Sequence, residues 1–287
     1  MKVNLLVNTR RADAIEAAAR TGVFLKDRGI TVGVDRETSR HLEFPSVADS
    51  EFDQADLVIT FGGDGTLIRA AHLCSETGTP VLGVYYGRFG FVTQCMGEEV
   101  GSCLSSFLDQ KSDFESRMML QTELVRNERI IATIHSLNEV VVQRAVTAQM
   151  MMFQVTVNGH RLTTYPADGV LISTPTGSTA YNLSVGGPIM DPRMDGMIIT
   201  AIAPHTLSAR PLVLNPDSNI HFRVTTDGEA VLSADGQSRL HLLSGDEMRV
   251  SRSPRRTNLL CVDADDFLIK LGERLFWSQS IVGDERR

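Results

Sequence analysis

The rhythm of apolar and polar positions changes once along this chain, near residue 114, and each rhythm predicts a different architecture. Lys2 to Val7 is an apolar run of strand length. Ala12 to Arg28 repeats its apolar residues at helical spacing, with Gly29 in the stop position. Ile30 to Val34 reads as a second strand. Leu57 to Phe61 is a continuous apolar run ending in glycines; Leu67, Ala70, Ala71 and Cys74 follow at helical spacing, and Val81 to Tyr85 is again of β type. Strands and helices in alternation predict an α/β N-terminal domain with a parallel sheet covered on both faces.

After about Phe114 the segments are β-branched and alternating, as in Arg129 to Ile134 and Gln154 to Val157. Turn dipeptides separate them, including Asn158-Gly159, Asp227-Gly228 and Gly245-Asp246. This predicts a mostly β C-terminal domain of layered sheets or a sandwich, interrupted by the helix-like stretch Ser178 to Ser184. The expected domains are 1–113 and 114–265, with 266–287, including Asp266 to Trp277, a candidate to complete the first. Pattern alone does not decide that last assignment.

The length of 287 residues agrees with two ordinary domains, and 42% hydrophobic residues supply a core. A net charge of −7 repels a phosphate backbone, so nucleic acid is not an expected partner. No apolar run reaches the roughly 20 residues of a membrane helix, and the start is too short in apolar residues for a signal peptide. The expected location is the cytoplasm. Cys74, Cys95, Cys103 and Cys261 form no CxxC pair, and the histidines show no ligand spacing. No disulfide framework and no protein-held metal is expected; a catalytic metal would arrive with a substrate.

Gly62-Gly63-Asp64-Gly65-Thr66 follows an apolar strand and opens a helix near Thr66, placing it at the carboxyl end of the sheet. Glycines let a phosphate approach the backbone N–H groups, and the helix N-terminus adds its dipole. Asp64 stands out in such an anion-binding turn, where a carboxylate needs a task such as holding a hydroxyl or Mg²⁺; the plain alternative is a satisfied Asp-Gly turn. Arg69 either faces a phosphate or is a solvated side chain. Farther on, Ser173-Thr174-Pro175-Thr176-Gly177-Ser178-Thr179 is dense in hydroxyls that can read a polar neutral ligand, or cap and turn the backbone.

With GGDGT at Gly62 to Thr66, Asn138-Glu139, Asp168-Gly169 and TPTGSTAY at Thr174 to Tyr181, the chain resembles the NAD kinase family over most of its length. Further matching segments are Gly87-Arg88-Phe89-Gly90-Phe91, Gly186-Gly187-Pro188, Ala203-Pro204-His205, Ser208-Ala209-Arg210-Pro211 and Asp235-Gly236-Gln237. The resemblance implies transfer of the γ-phosphoryl of ATP, or of another nucleotide or polyphosphate, to the 2′-hydroxyl of the adenosine ribose of NAD, giving NADP. It implies Mg²⁺ or another divalent cation carried with ATP, and a homodimer or homotetramer. Asp64 would be catalytic, beside the reacting ribose with Gly65. Gly62, Gly63, Gly65 and Thr66 would form the phosphate loop, with Arg69 near the ligand. Asn138 and Glu139 would hold adenosine groups. Asp168, Thr179, Ala180, Tyr181, Asn182, Leu183 and Ser184 would surround the nucleosides, with Gln237 nearby. Two departures from the family pattern, Tyr85 and Pro166, bear on donor choice and dinucleotide preference. The competing readings are a lipid or sugar kinase sharing the glycine turn and a non-catalytic NAD(H)-binding regulator, which would not need Asp64.

Overall fold

Continuous apolar runs without a polar face suit strands covered on both sides, and the first part of the chain uses them in that way. A computed structural model describes residues 1–86, 90–93, 95–145, 151–261 and 266–275. Its first elements are β1 (Lys2–Val7), α1 (Ala12–Lys26), β2 (Thr31–Val34), β3 (Leu57–Gly62), α2 (Asp64–Cys74), β4 (Val81–Tyr85), β5 (Cys95–Met96) and α3 (Val100–Leu108). The strands pair in parallel in the order β2-β1-β3-β4. Beyond β4, its Val84 and Tyr85 pair with β5 and its Val81 with Leu259.

Strand alternation sends Val3, Leu5 and Val7 to one face, where Ala14, Ala18 and Leu25 of α1 and Val100, Cys103 and Leu104 of α3 pack. Helix α2 lies against β3 and β4 and buries Leu67, Ala70, Ala71 and Cys74. Gly29 stops α1 with φ +75°, a conformation favouring glycine. Helix α3 is not among the elements expected from the sequence. Helix α2 begins at Asp64 rather than near Thr66, because Gly63 serves as its N-cap.

The second part contains β6 (Phe114–Arg126), β7 (Arg129–Ser136), β8 (Glu139–Arg144), β9 (Met151–Val157), β10 (His160–Ala167), β11 (Gly169–Ser173), a 3₁₀ turn (Thr176–Thr179), α4 (Tyr181–Ser184), β12 (Met197–Ile202), β13 (Leu212–Leu214), β14 (Ile220–Thr225), β15 (Ala230–Ala234), β16 (Ser238–Leu242) and β17 (Glu247–Leu260). One antiparallel sheet runs β13-β12-β11-β8-β15-β16. The other runs β10-β9-β14-β17, with β6 on β17 and β7 on β6. Period-two burial in β14 and β15 turns Phe222 and Val224 from one sheet, and Ala230 and Leu232 from the other, into a single core. Asn158 and Gly159, both at positive φ, close the β9–β10 hairpin.

The described chain ends in α5 (Asp266–Arg274). Two compact units result: Met1–Glu115 together with the chain from Leu259, and Ser116–Asn258. The fold class is the expected one, a parallel α/β unit and a mostly antiparallel β unit.

Candidate functional site

In the first unit the fully buried strand β3 delivers Gly62 to the carboxyl end of the sheet, between β1 and β4. Three glycines meet different demands there. A Cβ on Gly62 would sit 2.4 Å from Thr66 Oγ1, so close packing within the turn requires glycine. Among the described residues a Cβ on Gly63 or Gly65 would meet nothing within 4 Å, and neither glycine has positive φ. Among the described residues nothing demands glycine at these two positions. They leave the backbone open at the N-terminus of α2, where unpaired helical N–H groups favour an anion.

Asp64 opens that helix, and its carboxylate is held by a neighbouring loop. Oδ2 accepts the backbone N–H of Phe91 at 2.9 Å, while Oδ1 accepts those of Val92 at 3.2 Å and Thr93 at 3.1 Å. The loop comes so close that a Cβ on Gly90 would lie 1.9 Å from Oδ1. The loop is fixed in turn by Lys270 of α5, whose buried ammonium donates to the Thr93 carbonyl at 2.5 Å. A carboxylate offers about four lone-pair sites, so Oδ2 retains acceptor capacity beyond these three bonds. Of the Gly87-Arg88-Phe89-Gly90-Phe91 segment, residues 87–89 lie outside the described residues.

Arg69 turns elsewhere. Its guanidinium pairs with the buried Asp35 at 2.8 Å and stands 3.8 Å from Asp49. Its charge is engaged at the end of β2, which accounts for a cation in the first half of a helix whose dipole it opposes. Tyr85 ends β4 opposite Gly62, and Pro166 sits in β10 opposite Met152.

In the second unit the hydroxyl-rich turn is fastened to the start of β8. Thr174 Oγ1 donates to the Leu137 carbonyl at 2.6 Å and accepts the Gly177 N–H at 3.1 Å, while the Thr174 N–H donates to the Asn138 carbonyl at 2.8 Å. Gly177 passes over Asn138 so closely that a Cβ would lie 2.1 Å from the Asn138 carbonyl oxygen. Ser173 and Ser178 spend their hydroxyls on backbone groups of Asn138, Thr174 and Met190. Most of the hydroxyls thus build the turn. Thr179 and Ala180 are half-buried at its end, Thr179 donating to the Thr176 carbonyl at 3.3 Å.

Beneath this turn, Asp235 accepts the N–H groups of Leu137 at 2.7 Å, Asn138 at 2.8 Å and Glu139 at 3.1 Å. It does so from φ +49°, followed by Gly236 at φ +68°. Asn138 and Glu139 are buried, and Asn138 Oδ1 and Glu139 Oε2 have no hydrogen-bond partner among the described residues. Burial, and then the negative charge of Asp235, push the Glu139 carboxyl up to about 7, against a smaller opposing effect of the Tyr181 N–H. Buried polar atoms in that state are costly unless something satisfies them.

The remaining expected residues are distributed unevenly. Asp168 pairs with Arg144 at 2.7 Å, and His205 Nε2 lies 3.6 Å away. Tyr181, Ser184 and Gln237 are exposed and Leu183 half-buried. Asn182 departs from its expected role at the ligand. It is fully buried, its amide donates to the Ser178 and Pro188 carbonyls, and its Oδ1 accepts the Thr200 hydroxyl at 2.8 Å. Gly187 is needed beside it, since a Cβ there would lie 1.9 Å from Asn182 Oδ1. Asn182 therefore fixes the turn to β12. Among the described residues no group of three His, Cys, Asp or Glu side chains gathers to hold a metal ion.

Two positions do more here than the sequence shows. Both fall in segments that match the family, Asp235-Gly236-Gln237 and Gly87 to Phe91, but the sequence gives neither a task. Their partners lie far away along the chain.

The family model for the ATP-NAD kinase N-terminal domain matches residues 3–112, and that for the ATP-NAD kinase C-terminal domain matches residues 137–262. The NAD kinase of Moorella thermoacetica is 36% identical over 287 residues, 99% of this chain and 92% of that protein. The NAD kinase of Geobacter metallireducens is 39% identical over 258 residues, covering 89% and 91% of the two chains. Among solved structures, yeast NADH kinase complexed with NADH superposes with a TM-score of 0.91 at 25% identity, over 98% of this chain and 89% of that one. An NAD kinase from Archaeoglobus fulgidus in complex with ATP shares the fold with a TM-score of 0.76 at 22% identity, over 95% and 98%. Matched in both halves and along nearly its whole length, this chain belongs to the ATP-NAD kinase family.

Proposed function

We propose that the protein is an NAD kinase, transferring the γ-phosphoryl of ATP to the 2′-hydroxyl of the adenosine ribose of NAD to give NADP. The observation that carries this reading is 36% identity to an NAD kinase along 99% of the chain. Mg²⁺ or another divalent cation enters as part of the ATP substrate. Another nucleotide or polyphosphate as donor, a homodimer or homotetramer, and a cytoplasmic location belong to the same proposal. Among the described residues no helix is long and apolar enough to cross a membrane.

Phosphoryl transfer through a loose transition state asks the protein to position groups and offset charge. The open Gly63 and Gly65 backbone supports a phosphate at the start of α2. Asp64 orients the ribose hydroxyl. A carboxylate is a far weaker base than an alkoxide, so the proton passes to Asp64 late, as the O–P bond forms. The three N–H groups on this carboxylate fix its orientation before the nucleophile arrives. In the second unit the unsatisfied Asn138 Oδ1 and Glu139 Oε2 are acceptor sites for adenosine hydroxyl or amino hydrogens, and Asp168, Thr179, Ala180 and Tyr181 serve the nucleosides.

Incubation with ATP, Mg²⁺ and either NAD or NADH, followed by an NADP-specific dehydrogenase or by mass spectrometry, tests the activity. An NAD analogue lacking the adenosine 2′-hydroxyl should bind, accept no phosphate and compete with NAD. Phosphorylation of that analogue at another hydroxyl would overturn the placement of Asp64.

A further inference from the structure

Two of the four cysteines, eight positions apart in the sequence, meet in the first unit. Cys95 on β5 and Cys103 on α3 are both buried and reduced, with their Sγ atoms 3.1 Å apart. Helix α3 packs on the same side of the sheet to which Cys95 points, so the contact is set by the fold. The two thiols are unequal. Cys103 lines a cavity of about 400 Å³, together with Ser102, Lys111, Asp113 and Cys261, whereas Cys95 is fully enclosed. Hydrogen bonding from Cys95 favours the thiolate at Cys103, while that same bond and burial push Cys95 the other way.

We propose that Cys95 and Cys103 form a reversible disulfide, with Cys103 as the attacking thiol and Cys95 as the resolving one. The oxidant class is a hydroperoxide small enough for the cavity. The Cys103 thiolate attacks one peroxide oxygen and breaks the O–O bond, giving a sulfenic acid and hydroxide. The Cys95 sulfur then attacks Cys103 Sγ; the S–O bond breaks, and water leaves with the Cys95 proton. Two electrons pass from the thiol pair to the peroxide, and an added dithiol reverses the change. Closing the bond brings the sulfurs about 1 Å nearer. Cys95 lies two residues beyond Thr93, whose N–H helps to hold Asp64. Oxidation therefore loosens that hold, a consequence that rests on the kinase reading.

The full chain is treated with hydrogen peroxide, its remaining thiols are alkylated, and the non-reduced digest is mapped by mass spectrometry. A Cys95–Cys103 linked peptide, two hydrogens lighter than its parts and lost on reduction, is expected. In Cys95→Ser, dimedone should label Cys103, because its sulfenic acid has no resolving partner. Linkage of Cys103 to Cys261, dimedone on Cys74 or Cys261 instead, or unmodified thiols would overturn the assignment. Turnover of the oxidised protein should fall toward the roughly 10²-fold loss produced by misplacement of about 1 Å, and recover with dithiothreitol. Linkage with unchanged turnover overturns the connection to Asp64. A reduced protein that forms no NADP defeats the kinase reading and leaves the peptide map standing on its own.

Discussion

Asp64 and Asp235 solve one problem in two ways. Each carboxylate accepts three consecutive backbone N–H groups, from Phe91 to Thr93 in the first unit and from Leu137 to Glu139 in the second. Asp64 stands at the head of a helix beside open glycines, so the loop around it serves to aim Asp64 itself. Asp235 sits in a left-handed turn, and two of the three residues it grips, Asn138 and Glu139, carry buried side-chain oxygens that no described residue satisfies. In one unit the gripped carboxylate is the presented group; in the other it presents its neighbours. Identical hydrogen-bond patterns therefore predict different mutational phenotypes.

The largest effect is expected at Asp64. Asp64→Asn should keep the fold while turnover falls by about 10²- to 10⁴-fold, the usual cost of losing a general base. Gly90→Ala should reproduce much of that loss with Asp64 intact, since the new Cβ would occupy the place of Oδ1. Steady-state kinetics beside a melting curve decide it, and unchanged turnover in either variant would reduce Asp64 to a structural turn.

Asp235→Ala should act on stability and affinity together. Removing an ionised acceptor of three N–H groups costs about 3 kcal/mol, less where water replaces it. Denaturant unfolding should register that loss, with a higher KM for NAD. A variant that binds NAD normally would separate the Asp235 grip from the ligand.

Glu139 gives a smaller effect with a definite sign. Its carboxyl is raised to about 7 in the folded state, so the fold binds that proton more tightly than the unfolded chain does. This contribution to stability is complete below the ordinary glutamic acid value and is lost as pH rises through about 7. It amounts to about 3 kcal/mol at most, because one pKa unit corresponds to about 1.4 kcal/mol. Melting temperatures between pH 5 and 8 should fall with rising pH, and Glu139→Gln should flatten the profile. An equal slope in the variant would assign it to other groups.

The smallest expected effect is at the end of the hydroxyl-rich turn. Thr179→Val is nearly isosteric and should weaken NAD binding by about 1 to 3 kcal/mol if a buried partner loses its bond. Calorimetry reads the affinity directly, and unchanged binding places Thr179 with the turn-building hydroxyls.

Legibility in the sequence followed the range of the interactions. Strands β1 and β4 and the start of α1 were readable because apolar runs act locally, and Gly29 marked the end of α1 to within two residues. Helix α3 carries Val100, Cys103 and Leu104 at helical spacing, but Gly101 and its serines dilute the pattern. The family motifs pointed to Asp64, Asn138 and Glu139. What those residues are fastened to was not readable, because the partners of Asp64 lie 27 to 29 positions away and those of Asp235 96 to 98. Asn182 and Arg69 show the converse. A motif names polar residues without revealing which way they face, and only the fold shows Asn182 spent on Thr200 and Arg69 on Asp35.

The pairing of Leu259 with Val81 has a consequence for biosynthesis. Because the first unit takes up chain from Leu259 onward, including α5, it is interrupted by the whole of Ser116–Asn258. At about 5–20 residues per second, a ribosome needs roughly 7 to 30 s to make that stretch. During this interval β1 to β4 are already made, while the edge of β4 at Val81 still lacks its partner and Lys270 has not reached Thr93. The β unit, continuous in sequence, can complete itself first. A chain that stops before Leu259 thus leaves the first unit with an open strand edge, the kind of surface that chaperones bind and that aggregation exploits.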